Sequence, residues 1–239
     1  MHNNIAIVTG GAKRIGREIV EHLVHNGWRV IIHYNKATKE AKALQNSLPK
    51  HSTFLLQENF NKLFCEKKFF QKIFELTSNQ KPALLINNAS SFENDTIQTL
   101  ETENFLNQII TNCLIPMLLG REFSKNNQGS TIINILDLCA FEHSKNFASH
   151  QISKAALLKA TKQMALEFAK TTRVNSITPS FVIKNTKQNA TIFQKNINQS
   201  LLQTPVTIKD ICNTIDFVIN TTSLTGENIT LDCGRSIIK

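Results

Sequence analysis

The stretch IAIVTGGAKRIG, residues 5–16, determines the fold expected for the chain. Its apolar beginning predicts a buried strand, its glycine pair a tight turn, and the amphipathic segment from about Arg14 a helix that ends before Gly27. Glycines at such a junction let the backbone approach a pyrophosphate, which the N–H groups of the following helix stabilise. A merely structural turn is the alternative, but the position at the first strand-to-helix junction favours a dinucleotide site.

Six further apolar runs follow, and helical patterns separate nearly all of them. This alternation predicts a doubly wound Rossmann-type α/β fold, with a mainly parallel seven-stranded sheet, helices on both faces and a single domain over residues 1–239. Pro116 predicts a kink or a late start in the fourth helix. The longest irregular piece, 178–206, is polar and predicts a substrate loop or lid. The seven predicted strands are 5–10, 29–34, 53–57, 83–88, 131–136, 173–177 and 228–232.

The tip of the second predicted strand, HYNKATKE at 33–40, indicates which dinucleotide is bound. Sites that select NAD place a carboxylate at this tip for the ribose hydroxyls, whereas sites for a 2'-phosphate offer cationic or polar groups. Lys36, together with Lys13 and Arg14, therefore favours NADP(H). A solvated Lys36 without a function is the alternative, since most surface lysines have none.

Composition excludes several other classes of protein. The 239 residues include 27 Lys and Arg against 18 Asp and Glu, but no run of five or six basic residues occurs, so we expect no nucleic-acid partner. The five cysteines include no CxxC pair and lie near no histidine at zinc-ligand spacing, which predicts free thiols and no metal site. Without an export signal or an apolar run of about 18 residues, we expect no membrane partner and a cytoplasmic location.

Six motifs occur in a fixed order along the chain. They are TGGAKRIG at 9–16, NNAS at 87–90, Asn112, Lys154, Pro179 and TGENITLDCG at 225–234. In this order they resemble the motifs of the short-chain dehydrogenase/reductase family over essentially the whole chain. The resemblance implies that Asn112 organises a proton relay and that Lys154 also holds the nicotinamide ribose.

A narrower resemblance is to the pteridine reductases within that family. Arg14 replaces the middle glycine of the cradle, NASSF occupies 88–92, and NILD places Asp137 where most relatives carry a catalytic serine. This resemblance implies hydride transfer from NADPH to a C=N bond of a pterin or dihydropterin. Phe92 would stack on the pterin ring opposite the nicotinamide, and Arg14 and Ser90 would contact both cofactor phosphate and substrate. Relatives of this kind are commonly homotetramers, which is the assembly expected here.

The resemblance also implies the cofactor-binding residues. Two of them depart from the usual pattern, because Ala37 stands where a hydroxyl is expected and Asn59 where an adenine-facing aspartate is usual. The expected cofactor-binding residues are Gly10, Lys13, Arg14, Ile15, Gly16, Tyr34, Asn35, Lys36, Ala37, Asn59, Asn88, Ala89, Ser90, Lys154 and Pro179.

His150 is the main departure from the family, since it occupies the place of the catalytic tyrosine. It lies thirteen residues after Asp137 and four before Lys154, so on a helix His150 and Lys154 share a face. The only tyrosine, Tyr34, belongs to the adenosine end of the predicted site. An imidazole can supply a proton near neutral pH, so the predicted catalytic residues are Asn112, Asp137, His150 and Lys154. The predicted substrate contacts are Arg14, Ser90, Phe92, Asp137 and His150.

Several alternatives stay open at the level of sequence. Reduction could draw its proton from water or Asp137 instead of His150, and His143 in the loop after the fifth strand could reach the same cleft. The enzyme could reduce a carbonyl group, for example in a 3-oxoacyl thioester. The chain could also bind NADPH with little or no catalysis, because proton donors strongly govern the rates of such reactions.

Overall fold

A computed structural model describes residues 4–61, 65–142, 144–180, 182, 194 and 197–238. Seven strands alternate with helices along these residues. The strands are β1 (Ile5–Val8), β2 (Arg29–Tyr34), β3 (Thr53–Gln57), β4 (Leu84–Asn87), β5 (Ser130–Ile135), β6 (Thr172–Pro179) and β7 (Asn228–Leu231). The α-helices are α1 (Arg14–His25), α2 (Thr38–Ser47), α3 (Glu66–Leu76), α4 (Thr102–Ile109), α5 (Ile115–Asn126), α6 (Ala148–Phe168), α7 (Ile208–Asn220) and α8 (Arg235–Ile238).

All seven strands pair in parallel, in the order β3-β2-β1-β4-β5-β6-β7. The chain first builds outward from β1 to β3, then returns to the other side of β1 and continues to β7. The direction of winding thus reverses between β1 and β4. In open α/β sheets the crevice beyond the carboxyl ends of the strands at this reversal is the usual ligand site.

The sheet is covered on both faces, as its apolar strands require. Ala6 and Val8 of β1 point into one core cluster with α1 and α7, whereas Ile5 and Ile7 point into a second cluster with α3 and α5. All four residues are fully buried. Strands buried on both faces have nearly continuous apolar sequences, and this explains why runs such as IAIV predict the sheet so well.

The predicted strands and the first helix are confirmed, with strand ends shifted by up to two residues. Helix α1 ends at His25, and Gly27 follows in the left-handed conformation, with φ +83°. The irregularity predicted at Pro116 is a π-helical segment, Ile110–Leu114, between α4 and α5, with the proline in the first turn of α5. Such segments interrupt regular helices frequently at functional sites, and this one carries Asn112.

The predicted loop at 178–206 is described only in part. Strand β6 continues through Pro179, and a turn is described at 197–200. The rest of the prediction lies mainly outside the described residues, as does His143. Among the helices that are described, none combines the length and apolar character needed to cross a membrane.

Candidate active site

The turn after β1 forms a tightly packed cradle at the carboxyl edge of the sheet. Gly10 has φ +64°, and a Cβ on it would lie 2.9 Å from Ala89 Cα. A Cβ on Gly16 would lie 2.3 Å from the carbonyl oxygen of Gly10 and 2.5 Å from Asn88 Nδ2. Side chains are excluded at both positions, so the sequence prediction of a glycine cradle corresponds to a steric requirement. This close approach of backbone is what a bound pyrophosphate needs.

Arg14 begins α1 in an unusual conformation. Its φ is +52°, in the left-handed region that favours glycine. The backbone therefore retains the shape that a cradle glycine would take, while the exposed guanidinium projects from the start of the helix. The neighbouring Ile15 is half-buried and packs against the core cluster that includes α1. Arg14 thus adds a positive charge to the cradle without changing the path of the backbone.

Thr9 ties the cradle to the end of β4. Its Oγ accepts hydrogen bonds from the N–H groups of Asn88 (2.9 Å) and Ala89 (3.0 Å). Asn88 Nδ2 in turn donates to the carbonyl oxygen of Thr9 (2.9 Å) and, at 3.2 Å, to that of Gly10. Asn88 and Ala89 are therefore beside the cradle, as predicted, and act on its shape. Thr9 belongs to the TGGAKRIG motif but is not among the site residues predicted from sequence.

His33 forms a hydrogen bond to the backbone of the cradle and is not among the site residues predicted from sequence. Its Nδ1 accepts the Gly10 N–H at 3.2 Å, and its Nε2 lies 3.2 Å from the Glu58 carbonyl oxygen. These two partners require the neutral imidazole with its proton on Nε2. Burial lowers the pKa of His33 to about 4, although the contact with Glu58 opposes this shift. His33 also stacks on Phe60, with ring centroids 4.2 Å apart.

The residues predicted to hold an adenosine 2'-phosphate lie at the end of β2 and directly after it. Tyr34 is buried, Asn35 and Lys36 are exposed, and Ala37 directly precedes α2. Lys13, from the cradle, reaches this region through an ion pair of 2.6 Å with Glu40 in the first turn of α2. Asn59, after β3, is half-buried and accepts the Asn61 N–H at 3.0 Å.

Asn112 pairs in both directions with the backbone of Ser91. Its Oδ1 accepts the Ser91 N–H (2.7 Å), and its Nδ2 donates to the Ser91 carbonyl oxygen (2.9 Å). The second hydrogen on Nδ2 goes to Ser153 Oγ (2.9 Å), and Ser90 Oγ donates to Oδ1 at 3.1 Å. Since a backbone amide has fixed donor and acceptor ends, these contacts determine the orientation of the Asn112 amide. Asn112 is fully buried.

The same contacts assign the proton on His150. Its Nδ1 lies 3.1 Å from the Ser91 carbonyl oxygen and 3.4 Å from Asn112 Nδ2. Both hydrogens of Asn112 Nδ2 already have closer acceptors, so Nδ1 carries the hydrogen and donates it to Ser91. In the neutral ring, Nε2 then presents a lone pair. His150 is 3% exposed, and among the described residues its Nε2 has no hydrogen-bond partner.

Asp137 faces that nitrogen. One carboxylate oxygen, Oδ2, lies 3.7 Å from His150 Nε2, while Oδ1 accepts the Cys139 N–H at 2.9 Å. Desolvation opposes ionisation of the carboxyl group, but contacts with Cys139 and with His150 in its protonated form outweigh this effect and lower the pKa of Asp137 to about 2. Its side chain is 46% exposed, so a carboxylate stands at the open side of a buried imidazole.

Lys154 lies one helical turn after His150 on α6. It is 4% exposed, and its Nζ donates to the carbonyl oxygen of Ile135 at 2.9 Å. Burial lowers the pKa of Lys154, and the neighbouring Asp137 carboxylate opposes that shift. The predicted four-residue spacing therefore brings both Lys154 and His150 near Asp137.

Asp95, a residue that sequence reasoning missed, fixes the start of α6. The helix begins after Phe147, which has φ +62° and caps nothing with its side chain. Asp95 instead accepts the Ser149 N–H at 3.0 Å and also pairs with the Ser149 hydroxyl. A carboxylate at a helix start satisfies unpaired N–H groups and matches the helix dipole. The loop after β4 thus holds the turn of α6 that carries His150.

Phe92 lies on the same loop, at the edge of the cleft. Its ring is 43% exposed and stacks on Phe147, with centroids 4.6 Å apart and 23° between planes. It also meets His150 nearly at right angles, with centroids 4.7 Å apart. The loop and the start of α6 therefore present an aromatic surface directly beside the imidazole.

Pro179 lies apart from this cluster, buried at the end of β6 and paired with Leu231 of β7.

Comparison with known proteins identifies the family. A family model described as short chain dehydrogenase matches residues 4–197. The chain belongs to the short-chain dehydrogenase family. The resemblance seen in the sequence motifs is confirmed, and the seven-stranded parallel sheet is the fold of this family's solved relatives.

Individual short-chain dehydrogenases match along almost the whole chain. Dihydromonapterin reductase from Escherichia coli (strain SMS-3-5 / SECEC) is 25% identical over 236 residues, covering 97% of this chain and 96% of the relative. The enzyme of the same name from Shigella flexneri is 26% identical over 238 residues, with the same coverage. The matched region therefore extends over nearly the whole chain.

Two solved short-chain dehydrogenases have closely similar structures. FolM alternative dihydrofolate reductase 1 from Brucella canis, complexed with NADP, superposes with a TM-score of 0.89 at 27% identity, covering 98% of this chain and 95% of that one. The Brucella suis protein, also in complex with NADP, has a TM-score of 0.91 at 27% identity, covering 98% and 96%. The fold prediction is confirmed by both.

Proposed function

We propose that this short-chain dehydrogenase is an NADPH-dependent reductase of a pterin or dihydropterin, with His150 in the role of proton donor. The observation that carries the proposal is the juxtaposition of Phe92, His150 and Asp137 at the carboxyl ends of β4 and β5. The relatives named as dihydromonapterin reductase and alternative dihydrofolate reductase support the same substrate class.

The cradle fits a dinucleotide. A Cβ on Gly10 or Gly16 would clash with Ala89, Asn88 or the backbone of Gly10, so only glycine preserves the tight turn that a pyrophosphate site requires. Lys13, Arg14 and Lys36 supply positive charge around it, and the relatives solved with NADP support the choice of NADP(H). When bound there, NADPH supplies the hydride for reduction of a C=N bond.

The chain's own residues supply the proton. Asn112 fixes the Ser91 carbonyl group, which fixes the hydrogen of His150 on Nδ1. A second proton taken up by the ring must therefore bind at Nε2, on the side of the Asp137 carboxylate. The resulting imidazolium can release that proton into the cleft, and the buried Lys154 is oriented by its bond to the Ile135 carbonyl oxygen. Phe92 and Phe147 would offer their paired rings to a planar heterocycle.

The test follows NADPH oxidation with dihydrobiopterin, dihydrofolate and an acetoacetyl thioester. We expect turnover of the pterins but not of the thioester, and His150→Ala should lower kcat by a factor of about 10² to 10⁴, the usual contribution of general acid catalysis. His25→Ala, at an exposed histidine of α1 outside the cluster, is the matched control and should retain full activity.

The outcomes separate the alternatives. Unchanged pterin turnover in His150→Ala would assign the proton to water or Asp137, and His150→Tyr shows whether a phenol restores what alanine removes. Thioester reduction without pterin reduction would replace the proposed substrate class. Tight NADPH binding with no turnover on any of the three substrates would make the chain a binding protein and would end the proposal.

We also propose a single domain that assembles as a homotetramer and acts in the cytoplasm. Exposed apolar side chains on the helices around the π-helical segment support the assembly, because surface groups of this kind mark protein interfaces. Size-exclusion chromatography with light scattering should give four times the 26.9 kDa chain mass, and a monomer in solution would refute it. The side chains concerned are Leu114, Met117, Ile152 and Leu166.

A further inference from the structure

Three potential metal ligands converge where sequence spacing suggested none. The Asp137 carboxylate, the Cys139 thiol and His150 each place one ligand atom within 4.8 Å of the other two. Asp137 and Cys139 lie on the short segment after β5, whereas His150 comes from α6. The sequence predicts no metal site because it contains neither a CxxC pair nor a histidine at zinc-ligand spacing from a cysteine, whereas here the ligands come from two separate elements.

The tautomer and the burial of His150 indicate a ligand site and not only a cluster of polar groups. Its Nδ1 hydrogen is bound by the Ser91 carbonyl oxygen at 3.1 Å, which leaves Nε2 with a lone pair, and the side chain is 97% buried. Among the described residues nothing forms a hydrogen bond to Nε2. Histidines that bind metals characteristically donate their other ring N–H to a backbone carbonyl or carboxylate, which fixes the tautomer in this way.

We infer that Asp137, Cys139 and His150 form a site for a borderline-soft divalent cation such as Zn²⁺. Tetrahedral zinc with S, N and O ligands holds them roughly 3.3 to 3.7 Å apart, as follows from bond lengths of about 2.0 to 2.3 Å. The 3.7 Å between Asp137 Oδ2 and His150 Nε2 already matches this separation. Three protein ligands leave a fourth position open toward the cleft.

The charges of the cluster agree with a soft dication and exclude a hard one. Burial, together with the Asp137 carboxylate, raises the pKa of Cys139, so a bound dication must displace the thiol proton. The resulting thiolate and the carboxylate would neutralise the dication, and the sulfur ligand favours Zn²⁺ or Co²⁺ over Mg²⁺ and Ca²⁺. Lys154 is the opposing charge, since it couples electrostatically to both Asp137 and Cys139. Its Nζ donates a hydrogen bond to the Ile135 carbonyl oxygen at 2.9 Å.

Occupation of this site would block catalysis. The metal would take the Nε2 lone pair that must otherwise receive the proton, and this consequence rests on the proposed function. A tyrosine at position 150 would not provide such a nitrogen ligand. The replacement of a phenol by an imidazole thus makes the same cluster able to bind either a proton or a metal ion.

Metal binding is tested without relying on activity. Titration of the purified chain with Co²⁺ should give tetrahedral visible bands and a near-ultraviolet thiolate-to-cobalt band, both insensitive to excess Mg²⁺. Cys139→Ser should abolish the thiolate band and raise the Kd for Zn²⁺, measured calorimetrically, by a factor of roughly ten or more, as expected when a ligand is lost. Cys65→Ser is the matched control, because Cys65 belongs to no potential metal cluster among the described residues.

The activity assay then adds an independent result. Zn²⁺ should inhibit NADPH oxidation by the wild type, a chelator should restore it, and Cys139→Ser should be active but insensitive to Zn²⁺. Identical cobalt spectra in the wild type and Cys139→Ser, or no Co²⁺ binding by the wild type, would overturn the inference. These spectra are informative even if no substrate is turned over, so failure of the proposed function and failure of the metal site are distinguishable.

Discussion

Acid should destabilise the cradle through His33. The neutral imidazole accepts the Gly10 N–H, and burial lowers its pKa to about 4, from 6.5 in the unfolded chain. Between these values the unfolded chain binds the proton more tightly, so folding stability rises with pH in this window. The contribution is complete above pH 6.5 and is lost as the pH falls toward 4.

The size of the effect follows from the two pKa values. One pKa unit corresponds to about 1.36 kcal/mol, so the full loss is about 3 kcal/mol, of which about 2 kcal/mol is already lost at pH 5. This is a large part of the roughly 5 to 15 kcal/mol that stabilises a typical domain. Protonation of Nδ1 also removes the acceptor of the Gly10 N–H, so NADPH affinity should fall in the same window.

The measurement is urea unfolding at pH 8 and pH 5, in the wild type and in His33→Asn. Asparagine can place an acceptor near the position of Nδ1 but does not titrate, whereas all other groups titrate alike in both proteins. We expect the wild type to lose about 2 kcal/mol more than the variant between the two pH values. Equal losses in the two proteins would show that His33 does not control the acid stability of the cradle.

Three further predictions concern single substitutions. Gly16→Ala should raise the Kd for NADPH by a factor of about ten or more in a fluorescence titration, because a Cβ there would lie 2.3 Å from a carbonyl oxygen. In the control Gly129→Ala the new Cβ meets no atom within 4 Å, but alanine is strained at the φ of +70°, so this variant should lose stability and keep the Kd for NADPH. Lys36→Ala should raise the Kd for NADPH about tenfold but leave the Kd for NADH unchanged, as expected on losing a charged hydrogen bond to phosphate. Lys39→Ala, at another exposed lysine, should change neither Kd. Asp95→Ala should lower the free energy of unfolding by about 1 to 2 kcal/mol through loss of the α6 cap, and Asp95→Asn should lower it less. Equal stability of Asp95→Ala and wild type in urea would refute the capping role.

The sheet and the cradle could be predicted from sequence because their signals are local. Strands buried on both faces have continuous apolar runs, and the glycines at 10 and 16 reflect the steric limits of this turn. The strand ends shifted by one or two residues because pairing with neighbours, and not composition, decides where a strand stops. Pro116 signalled an irregularity, but only the structure shows the π-helical segment beside it.

The parts that escaped prediction depend on contacts between distant segments. Asp95 caps a helix that begins more than fifty residues later, so no helix-start motif is visible near Ser149. In the sequence His33 is only a polar residue within an apolar strand, and its contact with the cradle is visible only in the folded structure. The tautomer of His150 likewise depends on Asn112 and on the backbone of Ser91, which come from different elements.

The pairing of Asp95 with Ser149 has a consequence for remodelling this enzyme. Because one carboxylate connects the loop that bears Phe92 to the helix turn that bears His150, we expect the positions of the aromatic ring and the imidazole to be coupled. A loop transplanted from a relative to alter substrate preference would also disturb the imidazole unless it brought an aspartate in register with Ser149. Selectivity and turnover in this chain are therefore expected to change together in directed evolution.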